Sequence, residues 1–143
     1  MTINANAPVV QAKEIEIEAD IHTVWHVLTD INRWSEWNKR ISHSTLQDSL
    51  AVGSCFTWQT NGSKIKSSIH TVSPQESFGW EGKAFGVSAI HNWYLEPTAS
   101  GTKVRVEESM QGWIVKLLKN MMNSKLADDM QYWLERLKQE CEK

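Results

Sequence analysis

The alternation of hydrophobic and polar residues predicts a strand near the start of the chain, followed by two short helices. Residues 13–19 alternate with period two, which is typical of a half-buried β-strand. Asp20 is a suitable N-cap for a helix over residues 21–28, whose apolar residues follow helical spacing. A second short helix is expected over residues 31–37, and residues 38–48 are expected to hold a short edge strand at most.

The middle of the chain predicts a run of strands joined by short turns. The strands are expected over residues 54–60, 63–73, 76–84, 87–96 and 102–111. Asn61-Gly62, between the first two, is the strongest short signal for a β-hairpin. Because the links between consecutive strands are short, the strands should pair as an antiparallel meander.

The apolar period becomes helical from Trp113 and stays so to Cys141, with no Gly or Pro between them. We therefore expect one helix of roughly 40–45 Å, long enough to cross a sheet. A sheet must cover its apolar face, and this helix is the only element large enough. The predicted fold is α+β: a curved antiparallel sheet of about six to seven strands, in the order β-α-α-β5-6-α, wrapped around the C-terminal helix.

The turns also fix a provisional register, because cross-strand partners share one face of a sheet. The expected pairs are Trp58–Ile65, Ile69–Trp80, Thr71–Phe78, Trp80–His91, Phe78–Trp93, His91–Glu108 and Trp93–Val106. A further row on the same face holds Phe56, Ser67, Gly82, Ala89 and Met110. The opposite face is expected to meet solvent through Lys64, Lys66, Lys83, Glu96, Lys103, Arg105 and Glu107.

The face that meets the helix is not uniformly apolar, which favours a pocket over a solid core. It combines large rings with small residues at Gly82 and Ala89 and with the polar pair His91 and Glu108. A solid core would be richer in Val, Ile and Leu, whereas ligand pockets combine apolar walls with a few polar groups.

Composition narrows the class of protein. The chain has 143 residues, 41% hydrophobic and 22% charged, with a formal net charge of −2, which fits a single globular domain. This charge leaves no electrostatic footprint for nucleic acid or an acidic membrane, so no nucleic-acid partner is expected. Tryptophan is overrepresented, with eight residues against three Phe and two Tyr. The open question is whether these rings surround a cavity or fill it.

The remaining features predict a cytoplasmic protein without a metal or other cofactor. Cys55 and Cys141 match no metal or redox motif and are expected to be free thiols in a reducing compartment. His22 and His26 have i, i+4 spacing but no third ligand. Residues 1–10 are expected to be a loose leader before a single domain over residues 11–143, and no stretch approaches the roughly 18 apolar residues of a membrane span.

Several motifs resemble the START-like, or SRPBCC, helix-grip superfamily, and within it the polyketide cyclase/dehydrase-like proteins. The similarity covers about residues 11–141. The motifs that carry it are residues 17–30, Trp34, Trp37-Asn38, Gly53-x-x-Phe56, Trp80 with Gly82, His91-x-Trp93-x-Leu95, Gly101-Thr102-x-Val104 and Glu108-x-x-x-Gly112. Lys39 departs from the pattern, because many relatives have proline after the asparagine. The resemblance implies the helix-grip fold but allows carriers, cyclases, oxygenase domains and chaperone co-factors.

The preferred interpretation is a protein that binds a small hydrophobic or aromatic molecule, lipid- or polyketide-like, between the sheet and the C-terminal helix. The predicted ligand-binding residues are Phe56, Trp58, Ile69, Phe78, Trp80, Ala89, His91, Trp93, Glu108, Met110, Leu117 and Met121. Leu117 and Met121 are expected to form a lid, with mouths near residues 34–38 and 85–88. The protein is expected to be a monomer or homodimer without stable insertion into a membrane.

Two alternatives stay open. His91 and Glu108 could instead be the acid–base pair of a cyclase/dehydrase-type enzyme acting on a ketone, because a carboxylate beside imidazole orients the ring and raises its basicity. The protein could also be a chaperone or protein-interaction module with its contact surface outside.

Lys116, Lys119 and Lys125 on the last helix are expected to form a solvated face rather than a membrane surface.

Overall fold

The computed structural model describes residues 1–143 and contains one antiparallel sheet of seven strands. The strands are β1 (Val9–Ile17), β2 (Ile41–Leu46), β3 (Cys55–Thr60), β4 (Ser63–Ser73), β5 (Ser77–Ala84), β6 (Val87–Pro97) and β7 (Thr102–Gln111). Their order in the sheet is β1-β7-β6-β5-β4-β3-β2, so the first strand lies beside the last. This arrangement confirms the predicted α+β helix-grip fold.

Four helices cover the concave face of the sheet. They are α1 (Ile21–Thr29), α2 (Trp34–Trp37), α3 (Trp113–Leu117) and α4 (Lys119–Cys141). The side chain of Asp20 accepts a hydrogen bond from the backbone N–H of Thr23 at 2.9 Å, which is the predicted N-cap of α1. A 3₁₀ turn over Ile31–Arg33 joins α1 to α2, and α4 packs along β1 and against α1 and α2.

The C-terminal helix is not continuous, and this part of the prediction was wrong. Leu118 has φ −110° and ψ 33°, which separates α3 from α4 without a Gly or Pro. Leu118 still makes a helical hydrogen bond to each helix: its N–H donates to the Ile114 carbonyl in α3, and its carbonyl accepts from the N–H of Met122 in α4. The change of direction lets the fully buried Val115 hold α3 against β6 and β7, while α4 covers the sheet.

The observed register confirms most of the predicted pairs, from Trp58–Ile65 across to Trp93–Val106. Thr71 is the exception, because it pairs with Gly79 rather than Phe78. A bulge between Ile69 and Thr71 shifts the register there. On the convex face the His70 ring packs over Gly79, where an added Cβ would come within 2.5 Å of the ring.

The N-terminal segment is bonded to the end of β7. The backbone N–H of Asn4 donates to the Ser109 hydroxyl at 3.0 Å, and the Asn4 amide donates to Gln111 at 2.9 Å. β1 begins at the fully buried Val9, which is inside the stretch expected to be a loose leader.

Candidate functional site

The two central strands present a gradient of side-chain size to α4. Along β5 the inward residues run Phe78, Trp80, Gly82 and Ala84, and along β6 they run Trp93, His91, Ala89 and Val87. The large rings lie next to each other at one end of the strands, and the small residues lie next to each other at the other end. The space between sheet and helix should therefore be filled at the first end and open at the second.

The open end contains a cavity of about 130 Å³. Its walls come from β2 to β7, from the segment after α2, and from α4. The lining residues are Asn38, Arg40, Ile41, Trp58, Thr60, Ile65, Trp80, Gly82, Ala84, Val87, Ala89, His91, Glu108, Met110, Leu126, Asp129, Met130, Tyr132 and Trp133. An engineered apolar cavity of about 150 Å³ binds benzene, whereas pockets for drug-sized ligands span roughly 300–1,000 Å³. The cavity therefore has room for about one aromatic ring.

The filled end is a cluster of interlocking aromatic rings. Trp34 contacts Phe56, Trp58, Trp80 and Trp133 with ring centroids 5.2–5.8 Å apart, three of the four pairs being edge-to-face. The Trp34 indole N–H also donates to the Leu28 carbonyl at 2.8 Å. This packing leaves no room for a ligand beside Trp34.

A buried pair of polar side chains forms the polar part of the cavity wall. His91 on β6 and Glu108 on β7 are directly opposed, and the His91 Nδ1 atom contacts a Glu108 carboxylate oxygen. Each residue is 6% exposed. The His91 ring stacks on Trp80 with centroids 4.3 Å apart and 15° between the planes. The pair and the stacking together fix the orientation of the imidazole.

Two polar atoms of the cavity-lining side chains are buried without a hydrogen-bond partner. They are Nε2 of His91 and the indole Nε1 of Trp133, whose rings lie 5.6 Å apart. When Nδ1 donates to Glu108, the Nε2 atom of a neutral ring is an acceptor, whereas the Trp133 N–H is a donor. An unpaired buried polar group costs about 1–3 kcal/mol, so a ligand that pairs either atom would recover part of that cost.

Charged residues tie α4 to the segment after α2 at the rim of the cavity. One guanidinium nitrogen of Arg40 donates to Asp128 and to Asp129, each at 2.9 Å, and the group lies 4.1 Å from the Tyr132 ring centroid. Partial burial lowers the pKa of Arg40, and the hydrogen bonds to the two aspartates raise it by more, so the pKa lies above its ordinary value. Because Arg40, Asp129 and Tyr132 line the cavity, this cluster borders the route to it.

The structure brings half of the predicted ligand-binding residues to the cavity. Those that line it are Trp58, Trp80, Ala89, His91, Glu108 and Met110. Phe56, Ile69, Phe78 and Trp93 are buried in the core but lie outside the cavity lining.

The predicted lid is corrected by the structure. Leu117 and Met121 are 73% and 59% exposed and do not line the cavity, because the chain bends at Leu118. Leu126, Met130 and Trp133 on α4 take that place. Their i, i+4, i+7 spacing is present in the sequence but also fits ordinary helix packing, so it does not distinguish a wall from a core.

Two other groups were placed incorrectly from the sequence. Trp34 and Trp37, expected near a mouth, are buried, and only Asn38 of that segment reaches the cavity. Glu107, expected on the solvent face, is 9% exposed and accepts hydrogen bonds from Asn92, Tyr94 and Arg105.

Comparisons with known proteins agree with this architecture. Residues 9–142 match the family model described as "Polyketide cyclase / dehydrase and lipid transport", and the chain belongs to this family. A search of curated proteins finds no match.

Solved structures with low sequence identity share the fold. A hypothetical protein from Helicobacter pylori is 18% identical with a TM-score of 0.87, over 97% of this chain and 91% of the other. The Zhui aromatase/cyclase from a Streptomyces species is 11% identical with a TM-score of 0.82, over 93% of each chain. A START superfamily protein from Mycobacterium smegmatis is 12% identical with a TM-score of 0.72, over 91% of this chain and 97% of the other.

Two further observations bear on the kind of site. The structure places no group of three or more His, Cys, Asp or Glu side chains where they could hold a metal ion. None of its helices has both the length and the hydropathy needed to cross a bilayer.

Proposed function

We propose that the protein binds a small hydrophobic molecule through one aromatic ring that carries a hydroxyl group. The observation that carries the proposal is the unpartnered, buried Nε2 atom of His91 in the wall of an apolar cavity. A phenolic hydroxyl would donate to this acceptor, and the ring would lie against Trp58, Trp80 and Trp133. A larger ligand would place one such ring in the cavity and extend past Arg40.

Titration with matched ring compounds tests this proposal. We expect p-cresol to bind more tightly than toluene, because only the phenol satisfies His91 Nε2. Ala89→Leu should abolish binding of both by filling the cavity. Ala12→Leu makes the same change at an exposed position of β1 and should leave binding intact. Equal binding of the two compounds, or binding that survives Ala89→Leu, would contradict the proposal.

Native mass spectrometry of the purified protein would identify a co-purifying ligand.

A second candidate function uses the same pair as a catalyst. With Glu108 holding Nδ1, the Nε2 atom of His91 has the position of a general base that removes a proton beside a ketone, as cyclisation of a polyketide-like substrate requires. The family name supports this candidate at the level of the class alone. His91→Gln would then abolish turnover of a bound ketone while retaining its binding, whereas a binding protein would show no turnover with either chain.

A further inference from the structure

A cluster of hydrophobic side chains is exposed beside the cavity. It consists of Phe85 at the tip of the β5–β6 hairpin, Trp113 and Leu117 on α3, Leu118, and Met121 at the start of α4; we call it the Trp113 patch. These residues are 39–82% exposed and are five of the eight large hydrophobic residues that are exposed in the whole protein. Exposed apolar patches of this kind mark interaction sites more often than scattered single residues do.

The Trp113 patch is held together by contacts within the fold. The Phe85 and Trp113 rings pack edge-to-face with centroids 5.6 Å apart. Gly86 and Gly112 both have positive φ, and a Cβ on Gly112 would come within 2.2 Å of the Gly86 carbonyl oxygen. Only glycine permits this approach of the hairpin to the start of α3, so the sequence builds the patch from two separate segments.

The charges around the Trp113 patch all have one sign. Residues 82–90 and 109–127 contain four lysines and no acidic side chain. The first acidic residue after them is Asp128. Lys116, Lys119 and Lys125 are exposed and form no ion pair, and residues 4–11, which run beside this end of β7, are uncharged. A basic region of this kind is unexpected in a chain whose net charge is −2.

We propose that the Trp113 patch docks the protein reversibly on the surface of an anionic lipid bilayer. Trp and Phe side chains favour the interface between headgroups and acyl chains, and neighbouring lysines are attracted to anionic headgroups. This combination of exposed rings and unpaired lysines revises the expectation that the lysines form a merely solvated face. A purely hydrophobic partner would not account for the four lysines.

Docking would also bring the cavity to the lipid. Ala84 and Val87, on either side of Phe85-Gly86, line the cavity, as does Met110 just before Gly112. The surface of the bilayer would then lie at the end of the cavity with small side chains, where hydrophobic molecules concentrated in the membrane are nearby. Docking does not depend on the proposed ligand, since either can be observed without the other.

Flotation with vesicles tests the proposal. We expect binding to vesicles of phosphatidylcholine mixed with phosphatidylglycerol and little binding to phosphatidylcholine alone. Raising the salt from about 0.1 M to about 1 M shortens the Debye length from roughly 10 Å to 3 Å and should release the protein. Equal binding to both vesicles, or no binding to either, would overturn the proposal.

Variants locate the binding surface. Lys116→Gln, Lys119→Gln and Lys125→Gln together should weaken binding about 100-fold, since each lysine near an anionic surface contributes a factor of about five. The matched control changes Lys13, Lys103 and Lys143 to Gln and lowers the net charge equally, away from the Trp113 patch. Phe85→Ser with Trp113→Gln should weaken binding at least about 10-fold. If the control weakens binding as much as the first set, the assigned surface is wrong.

Tryptophan fluorescence gives an independent readout. Trp113 is 61% exposed, whereas the other seven tryptophans are each at most 8% exposed. Vesicle binding should therefore shift the emission to the blue through Trp113 alone, and Trp113→Gln should remove the shift. Analytical ultracentrifugation tests whether a second copy of the chain covers the Trp113 patch instead. A dimer that Trp113→Gln dissociates would show this and would overturn membrane docking.

Discussion

The space between the sheet and α4 has a filled end and an open end, and the two are built from the same strands. At the filled end, Trp34 is surrounded by four other rings. At the open end, Gly82 and Ala89 are directly paired and leave a cavity of about 130 Å³. The difference lies in side-chain size at successive inward positions, so a few substitutions would convert one kind of region into the other.

The tryptophans accordingly have two roles. Trp58, Trp80 and Trp133 lie at the boundary, with neighbours in the filled cluster on one side and the cavity on the other. Trp34 and Trp93 are fully buried and do not line the cavity. His91 and Glu108 also lie at this boundary, where a rigid cluster behind them holds the polar pair in place.

The largest effect on stability is expected at the filled end. Trp34→Ala should lower the free energy of unfolding by about 3–5 kcal/mol, because it removes a fully buried indole from a cluster that cannot collapse around the gap. Ala89→Leu at the open end should change it by less than about 1.5 kcal/mol. Urea denaturation of both variants measures the contrast, and similar losses at the two ends would contradict it.

The boundary pair should show strong coupling. His91→Ala should lower the free energy of unfolding at neutral pH by about 3 kcal/mol, because it leaves the Glu108 carboxylate buried without its partner. In a Glu108→Gln background the same change should cost much less. A double-mutant cycle by urea denaturation measures this, and additive effects would show that the two side chains do not stabilise each other.

The thiols should report the packing of α4. Burial raises the pKa of Cys141 to about 12, so at pH 8 its thiol stays protonated and inaccessible, whereas Cys55 is only half-buried. We expect one thiol per chain to react with Ellman's reagent in the native protein and both in denaturant. Because folding raises the pKa of Cys141, keeping this thiol protonated contributes to the stability of the native state. This contribution is fully present below the unfolded pKa of 9.0 and is lost as the pH rises toward 12. Fast native labelling of Cys141 would indicate a loosely packed helix end.

The smallest effect is expected at the rim. Arg40→Ala should lower the free energy of unfolding by less than about 1 kcal/mol, because Arg40 and Asp128 are partly in solvent and exposed ion pairs contribute little. The dissociation rate of a bound ring compound should nevertheless rise, since the tie between α4 and the cavity rim is lost. Stopped-flow fluorescence measures the rate, and an unchanged rate would place the exit route elsewhere.

The sequence predicts the architecture and the inner face well because its local signals are strong. Asn61-Gly62 and Phe85-Gly86 fix two of the hairpins. The turn at Ala99-Ser100 fixes the register of β6 with β7 and places His91 opposite Glu108, as observed. The gradient from large to small side chains along β5 can likewise be read from alternate residues. Local signals no longer suffice where contacts between distant residues decide the conformation.

The features that the sequence missed depend on contacts between distant residues. The bulge near His70 accompanies its packing over Gly79, and no turn residue marks it. The bend at Leu118 has no Gly or Pro that would reveal it in the sequence. The apolar stripe of the helix therefore led to the incorrect prediction that Leu117 and Met121 form a lid. Glu107 is buried because Asn92 and Tyr94 on the neighbouring strand bond to it, which its alternating position did not indicate.

The central claim is that a hydroxyl-bearing ring enters the open end and pairs with His91. Nitrogen NMR of the His91 imidazole during titration with p-cresol tests it most directly. We expect a saturable change at Nε2, a smaller change with toluene, and none in Ala89→Leu. Binding of p-cresol that leaves the Nε2 signal unmoved would contradict the claim.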